Sequence, residues 1–135
     1  MTAAASDLEI AASILIVDGD VVSRHAIADY LRDCGFAVVE AANTDEAMVA
    51  LLEASLSIDV ILCDAAAIGT ESAFGLVNWV RQKRLELEVR LAGSLEGTVK
   101  VAGELCESGA NLSRPYEPEA VLDYIKKLRA ARDRA

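Results

Sequence analysis

At 135 residues and 53% hydrophobic content, the chain has room for one packed core and not for two domains. A formal net charge of -9 opposes nonspecific attachment to a nucleic acid backbone or an anionic membrane, both of which recruit clustered Lys and Arg. The cations that do cluster, Lys126, Lys127, Arg129, Arg132 and Arg134, sit where a last helical turn would use them to complement its dipole.

The first twelve residues contain Asp7 and Glu9 and lack a basic start, so they read as a loose leader and not as a signal peptide. Apolar runs fall well short of the roughly 20 residues a spanning helix requires, and a cytoplasmic protein is expected. Ser13 to Val17 is a short apolar strand that ends on Asp18, Gly19 and Asp20. Val21 to Cys34 follows with Ala26, Ile27, Tyr30, Leu31 and Cys34 at helical spacing, and Gly35 suits the helix end. Phe36 to Ala41 reads as a second buried strand. Asn43 then caps a second helix, with Glu46 placed to reach back and Ala47, Met48, Leu51 and Leu52 as its apolar stripe.

Ile58 to Asp64 is a nearly all-apolar run, too short for a helix, as the central strand of a parallel sheet requires. A loop of small residues, Ala65 to Ala73, leads to a third helix over Phe74 to Arg84, with Leu76, Val77 and Val80 on one face. Leu87 to Ala92 alternates Glu88 and Arg90 with Val89 and Leu91, which suits a strand nearer the sheet edge. A short fourth helix, Val99 to Glu107, stops at Gly109. Ala110 to Ser113 is a brief fifth strand, Arg114 and Pro115 turn the chain, and Pro118 opens a fifth helix with Val121, Leu122, Ile125 and Leu128 inward. Strict alternation of strand and helix implies right-handed crossovers and a three-layer α/β/α sandwich around a parallel sheet.

In such sheets ligands bind beyond the carboxyl ends of the strands. Asp18, Asp20 and Asp64 would meet there, and clustered carboxylates call for a cation, most naturally Mg²⁺ with its preference for oxygen ligands. A carboxylate beside the ion can attack phosphorus and become an aspartyl phosphate. Ser94 could bond a phosphoryl oxygen and Arg114 could pair with it, although Ser94 also suits a helix cap and Arg114 a solvated loop. Cys34, Cys63 and Cys106 form no Cys-x-x-Cys and have no neighbouring His, so three buried thiols are expected, with Cys63 reactive only if the pocket beside Asp64 is open. His25, the one histidine, reads as a surface residue; Trp79 and Tyr116 read as packing.

Together these stretches resemble the receiver domain of two-component response regulators, over nearly the whole length from Ser13 to about Leu128. The residues that carry the likeness are Ile14-Leu15-Ile16-Val17-Asp18, Ile58 to Asp64, Gly75-Leu76, Gly109-Ala110 and Arg114-Pro115-Tyr116. The resemblance implies a flavodoxin-like (βα)5 fold with strand order 2-1-3-4-5, a receiver over 13–130 between a leader at 1–12 and a tail at 131–135, and phosphorylation of Asp64 by a histidine kinase or phosphotransfer protein. It also implies Mg²⁺ held by Asp18, Asp20 and Asp64, assistance from Ser94 and Arg114, a signalling face made of the fourth helix, fifth strand and fifth helix, a possible homodimer, and a cis bond before Pro115.

The departures from the family pattern are specific. The second of two adjacent acids, usually the direct metal ligand, is replaced by Gly19; the loop after Asp64 reaches Gly75 three residues late; the hydroxyl position falls among Ala92, Gly93 and Ser94, with the count back from Gly109 favouring Ser94; and the usual lysine is Arg114, a planar fork in place of a compact ammonium. Three functions are therefore carried forward. One is a single-domain response regulator phosphorylated on Asp64, with no output domain of its own. Another is a degenerate receiver that serves as a constitutive interaction module. The third is a phosphatase of the haloacid-dehalogenase type using Asp18 and Asp20, for which no later acidic pair is present.

Overall fold

The computed structural model describes residues 12–108 and 116–134. Its centre is β1, Ser13–Val17, whose four residues Ile14 to Val17 are at most 1% exposed. β1 pairs in parallel with β2, Ala37–Ala41, on one side and with β3, Val60–Asp64, on the other; β3 in turn pairs with β4, Glu88–Ala92. The order is β2-β1-β3-β4. Side chains alternate across the sheet, so Ile14, Ile16, Val60 and Leu62 enter one core while Leu15, Val17, Ile61 and Cys63 enter the other. Burial of both faces explains why β1 and β3 are continuous apolar runs. At about 1.5–3 kcal/mol for each fully buried aliphatic side chain, these two strands contribute substantially to the hydrophobic stabilisation.

The helices divide between the two faces. α2, Thr44–Leu52, and α3, Ala73–Lys83, cover one; α1, Val21–Asp33, α4, Leu95–Ser108, and α5, Pro118–Arg134, cover the other. Each start has a local cause. Asp20 caps α1, and Gly35, at φ 104°, takes the left-handed turn after its last residues. Asn43 Oδ1 accepts the Glu46 N–H at 2.8 Å, while Glu46 Oε1 accepts from Ala42 N, one residue before the cap. Ser72 caps α3. Ser94 Oγ accepts the Gly97 N–H at 3.0 Å, so α4 begins at Leu95, four residues earlier than the apolar spacing suggests. Leu52, expected inward on α2, is 67% exposed.

Other expectations are also revised. Four strands are described in place of five: the Ala110–Ser113 strand, Arg114, and the bond before Pro115 lie outside the described residues. β2 is only partly buried, as an edge strand, and its Glu40 engages Arg24, His25 and Arg32 of α1. Cys34 and Cys106 are not free thiols: they form a disulfide with a Cα–Cα distance of 5.5 Å, joining the end of α1 to the end of α4. Sequence spacing hid this pairing because 72 residues separate the two, and only the packing of α4 onto the α1 face brings them together.

α5 runs antiparallel to α1. Near its start, the Tyr116 ring stacks on Tyr30 at 6.0 Å between centroids and its hydroxyl donates to Asp33 at 2.9 Å; near its end, Arg129 and Arg132 reach Asp20. Val121 and Ile125 bury against the core between these points, and Gly103 of α4 leaves room for the Pro118 ring, since a Cβ there would lie 2.5 Å from the Pro118 Cγ.

Candidate functional site at the carboxyl ends of the strands

The register of the sheet sets the site. Val17 of β1 lies opposite Cys63 of β3, so the next residues along, Asp18 and Asp64, emerge side by side at the same edge. Asp18 is 7% exposed, and its Oδ1 accepts the Asp20 N–H at 2.9 Å. Burial pushes its carboxyl above the ordinary value, and the charges of Asp64 and Asp20 add to that against the opposing pull of the backbone hydrogen bond and Arg24. Asp64, which ends β3, is half-buried. Its Oδ1 accepts from Ala66 N at 3.0 Å, and among the described residues its Oδ2 has no hydrogen-bond partner. This leaves a carboxylate oxygen at the mouth of the sheet, beside a second acid.

Asp20 does not join that pair. Its Oδ1 accepts from Val22 N at 3.0 Å and Ser23 N at 3.2 Å as the cap of α1, Arg132 Nη1 donates to the same oxygen at 2.9 Å, and Arg129 Nε lies 3.4 Å from Oδ2. Burial would raise its carboxyl, but the Ser23 hydrogen bond and the two guanidinium groups prevail and hold it below the ordinary value. Gly19, between the two acids, contributes no ligand. Among the described residues no set of three His, Cys, Asp or Glu converges to hold a metal ion. The donors therefore do not fit the three-carboxylate Mg²⁺ site that the sequence suggests.

The neighbouring loops are fixed by their own bonds. The segment after Asp64 is pinned to the start of α2, where Thr44 N donates to Ile68 O at 2.8 Å, Thr44 Oγ1 to Glu71 O at 2.6 Å, and Thr70 N to Asp45 Oδ2 at 3.1 Å. Those contacts account for its extra length. Ser94, two residues beyond the Ala92 that lies opposite Asp64, is exposed and caps α4 through Oγ. Ala92 is buried and Gly93 exposed. Arg114 lies outside the described residues. Cys63, fully buried in the core beneath Asp64, has its thiol pushed up to about 12 by burial and then by Asp64 and Asp18, so it is not a reactive group.

Two cations that reach Asp20 escape a sequence reading. Arg129 and Arg132 look like ordinary dipole partners at a helix end, yet their spacing of three puts them on one helical face, which is the available signal that they share a target. A second feature is a groove of about 730 Å³ between α1 and α5, lined by Val22, Tyr30, Tyr116, Val121 and Tyr124.

No family model matches the chain. It is similar, at 30% identity over 115 residues, to the cyclic di-GMP phosphodiesterase of Thermotoga maritima and to the transcriptional regulatory protein ResD of Bacillus subtilis. Each match takes in 85% of this chain, but 27% of the first relative and 47% of the second, so the chain spans about a quarter and about half of their lengths. Among solved structures, the chemotaxis response regulator CheY4 of Vibrio cholerae superposes with a TM-score of 0.58 at 24% identity, over 87% of this chain and 98% of that one. A CheY-like response regulator receiver domain protein from Methanospirillum hungatei JF-1 does so with a TM-score of 0.58 at 20% identity, over 93% and 98%. No helix among the described residues is long and apolar enough to cross a membrane.

Proposed function

We propose that this chain, which is a receiver domain of the two-component response regulators, accepts a phosphoryl group on Asp64. Receivers are phosphoacceptor signalling domains and not enzymes, which removes the phosphatase reading of Asp18 and Asp20. The observation that carries the proposal is Asp64 Oδ2 at the end of β3, which has no hydrogen-bond partner among the described residues, with Asp18 beside it. In the reaction, that oxygen attacks phosphorus, the bond from phosphorus to the donor breaks, and the donor leaves with the electron pair; with a phosphohistidine donor the leaving group is the imidazole. A cognate histidine kinase or phosphotransfer protein supplies the group. Ser94 and Arg114 are the residues proposed to meet the phosphoryl oxygens, and the signal is read from α4, α5 and the segment between them.

The family typically binds Mg²⁺. Because the donors present do not fit a three-carboxylate site, no part of this reading is routed through the ion. That mismatch favours a second reading, in which the chain keeps the fold as a constitutive interaction module: Gly19 supplies no carboxylate, and Asp20 is held by α1 and two arginines.

Intact mass after incubation with acetyl phosphate separates the two. One phosphoryl adduct on the wild type, absent from Asp64→Asn, supports phosphoacceptance. No adduct on the wild type with Mg²⁺ present sinks it and leaves the interaction module.

A further inference from the structure

We propose that the groove between α1 and α5 binds a small organic cation, a protonated or quaternary amine carried on an aromatic or alkyl body. Its wall is apolar and aromatic: Val22 from α1, half-buried Leu128 and buried Val121 from α5, and the rings of Tyr30, Tyr116 and Tyr124. Val21, Tyr116 and Tyr124, which also line it, are 55%, 49% and 58% exposed, so apolar surface at the groove is left open to a ligand. A space of about 730 Å³ is the size at which small-molecule sites are found.

Charge selects the ligand. The ionisable groups at the groove besides the tyrosines are Asp29, Asp33 and His25, and among the described residues no Lys or Arg lines it. Asp29 already meets His25 at 3.3 Å and Arg32 at 3.1 Å. Asp33 is exposed and, among the described residues, has no ion-pair partner; its Oδ2 accepts the Tyr116 hydroxyl at 2.9 Å. That bond fixes the Tyr116 ring, which stacks on Tyr30 with centroids 6.0 Å apart. Asp33 also pushes the Tyr116 phenol above its ordinary value, with Asp29 adding to the effect, and a phenol that donates to a carboxylate presents a more electron-rich ring face. An anion is repelled by both carboxylates, whereas a cation gains the ring faces and Asp33 together. Asp33 ends α1 and Asp20 caps its start, so over the 13 residues of the helix this end of the groove is about 20 Å from Asp20. The site is therefore independent of phosphoacceptance at Asp64.

Titration of the full chain with 2-naphthylmethyl-trimethylammonium, and with 2-naphthylmethanol as its neutral counterpart, tests this at physiological ionic strength. The cation should bind saturably at one site, and the alcohol about tenfold more weakly, the factor that a cation–π contact and one exposed ion pair supply together. Amide resonances of Val22, Tyr30, Tyr116 and Tyr124 should shift with the cation, and that of Trp79, on the opposite face, should not. Asp33→Asn should weaken the cation about fivefold and leave the alcohol unchanged, since Asn still accepts the Tyr116 hydroxyl. Glu53→Gln removes the same charge from an exposed position at the end of α2, on the other face, and should change neither. Tyr124→Ala, at an exposed position, should keep the circular dichroism of the wild type and weaken the cation about fivefold. Equal affinity for the cation and the alcohol, an Asp33→Asn protein no weaker than Glu53→Gln, shifts that miss the groove, or no saturable binding would each overturn the site.

Discussion

A Cβ on Gly19 would lie 3.6 Å from the carbonyl oxygen of Ala42, an ordinary contact and the one close neighbour it would meet among the described residues. Among the described residues, therefore, no steric demand calls for glycine at this position. Gly19→Asp should fold, with a thermal midpoint lowered in the absence of divalent ions, because the new carboxylate adds like charge beside Asp18, whose carboxyl already feels Asp64 and Asp20. It should then bind Mg²⁺ at least about tenfold more tightly than wild type by calorimetric titration, since a hard cation gains an oxygen ligand beside Asp18 and Asp64. Equal affinities would mean that Gly19 is not what weakens the site.

The Cys34–Cys106 disulfide closes a loop of 72 residues and joins two helices on one face. By chain-entropy reasoning such a cross-link is worth roughly 2–4 kcal/mol. Reduction, or Cys34→Ser, should lower the thermal midpoint by roughly 10 °C. Alkylation of the unfolded, unreduced chain should add one label, on Cys63, and three after reduction. Three labels without reduction would show the pair to be free.

Most of the sheet was legible because its signal is local. β1 and β3 announce themselves as apolar runs, and Asn43 and Pro118 as helix starts, without reference to the rest of the chain. Asp18 and Asp64 could be paired from topology alone, since parallel strands in register deliver their last residues to one edge. What could not be read depends on contacts between distant segments. The side of the sheet taken by α4 decides the disulfide, and the direction of α5 decides what Arg129 and Arg132 touch; neither is encoded in spacing or propensity. Ser94 was ambiguous for another reason: a hydroxyl after a strand suits a helix cap and a phosphate equally, and its bond to Gly97 N is the cap.

Ser23 is 1% exposed on α1, and among the described residues its hydroxyl has no hydrogen-bond partner. A buried polar group left unpaired costs free energy, and alanine is the better helix former. Ser23→Ala should therefore stabilise the fold by about 1 kcal/mol in urea unfolding, with an unchanged dependence on denaturant. A loss of similar size would show that the hydroxyl is satisfied in solution.

Glu40 supplies the pH dependence. Its carboxylate, largely shielded on β2, takes Arg24 at 3.1 Å, His25 at 3.1 Å and Arg32 at 3.2 Å. Burial works to raise its carboxyl, but the hydrogen bonds from His25, Arg24 and Arg32 prevail and hold it below the ordinary value of 4.5. A group depressed in the folded state binds its proton more tightly when unfolded, so its contribution is complete above 4.5 and is lost as pH falls through the lower, folded value. Arg24 and Arg32 stay charged throughout, and the His25 contact is an ion pair only when the imidazole is protonated, so in acid the window is set by the carboxylate. Glu40→Gln should cost about 1 kcal/mol at neutral pH, and the difference from wild type should shrink as pH drops below 4.5. Urea unfolding of both proteins across that range measures it; a difference that persists undiminished in acid would mean that Glu40 acts through packing and not through its charge.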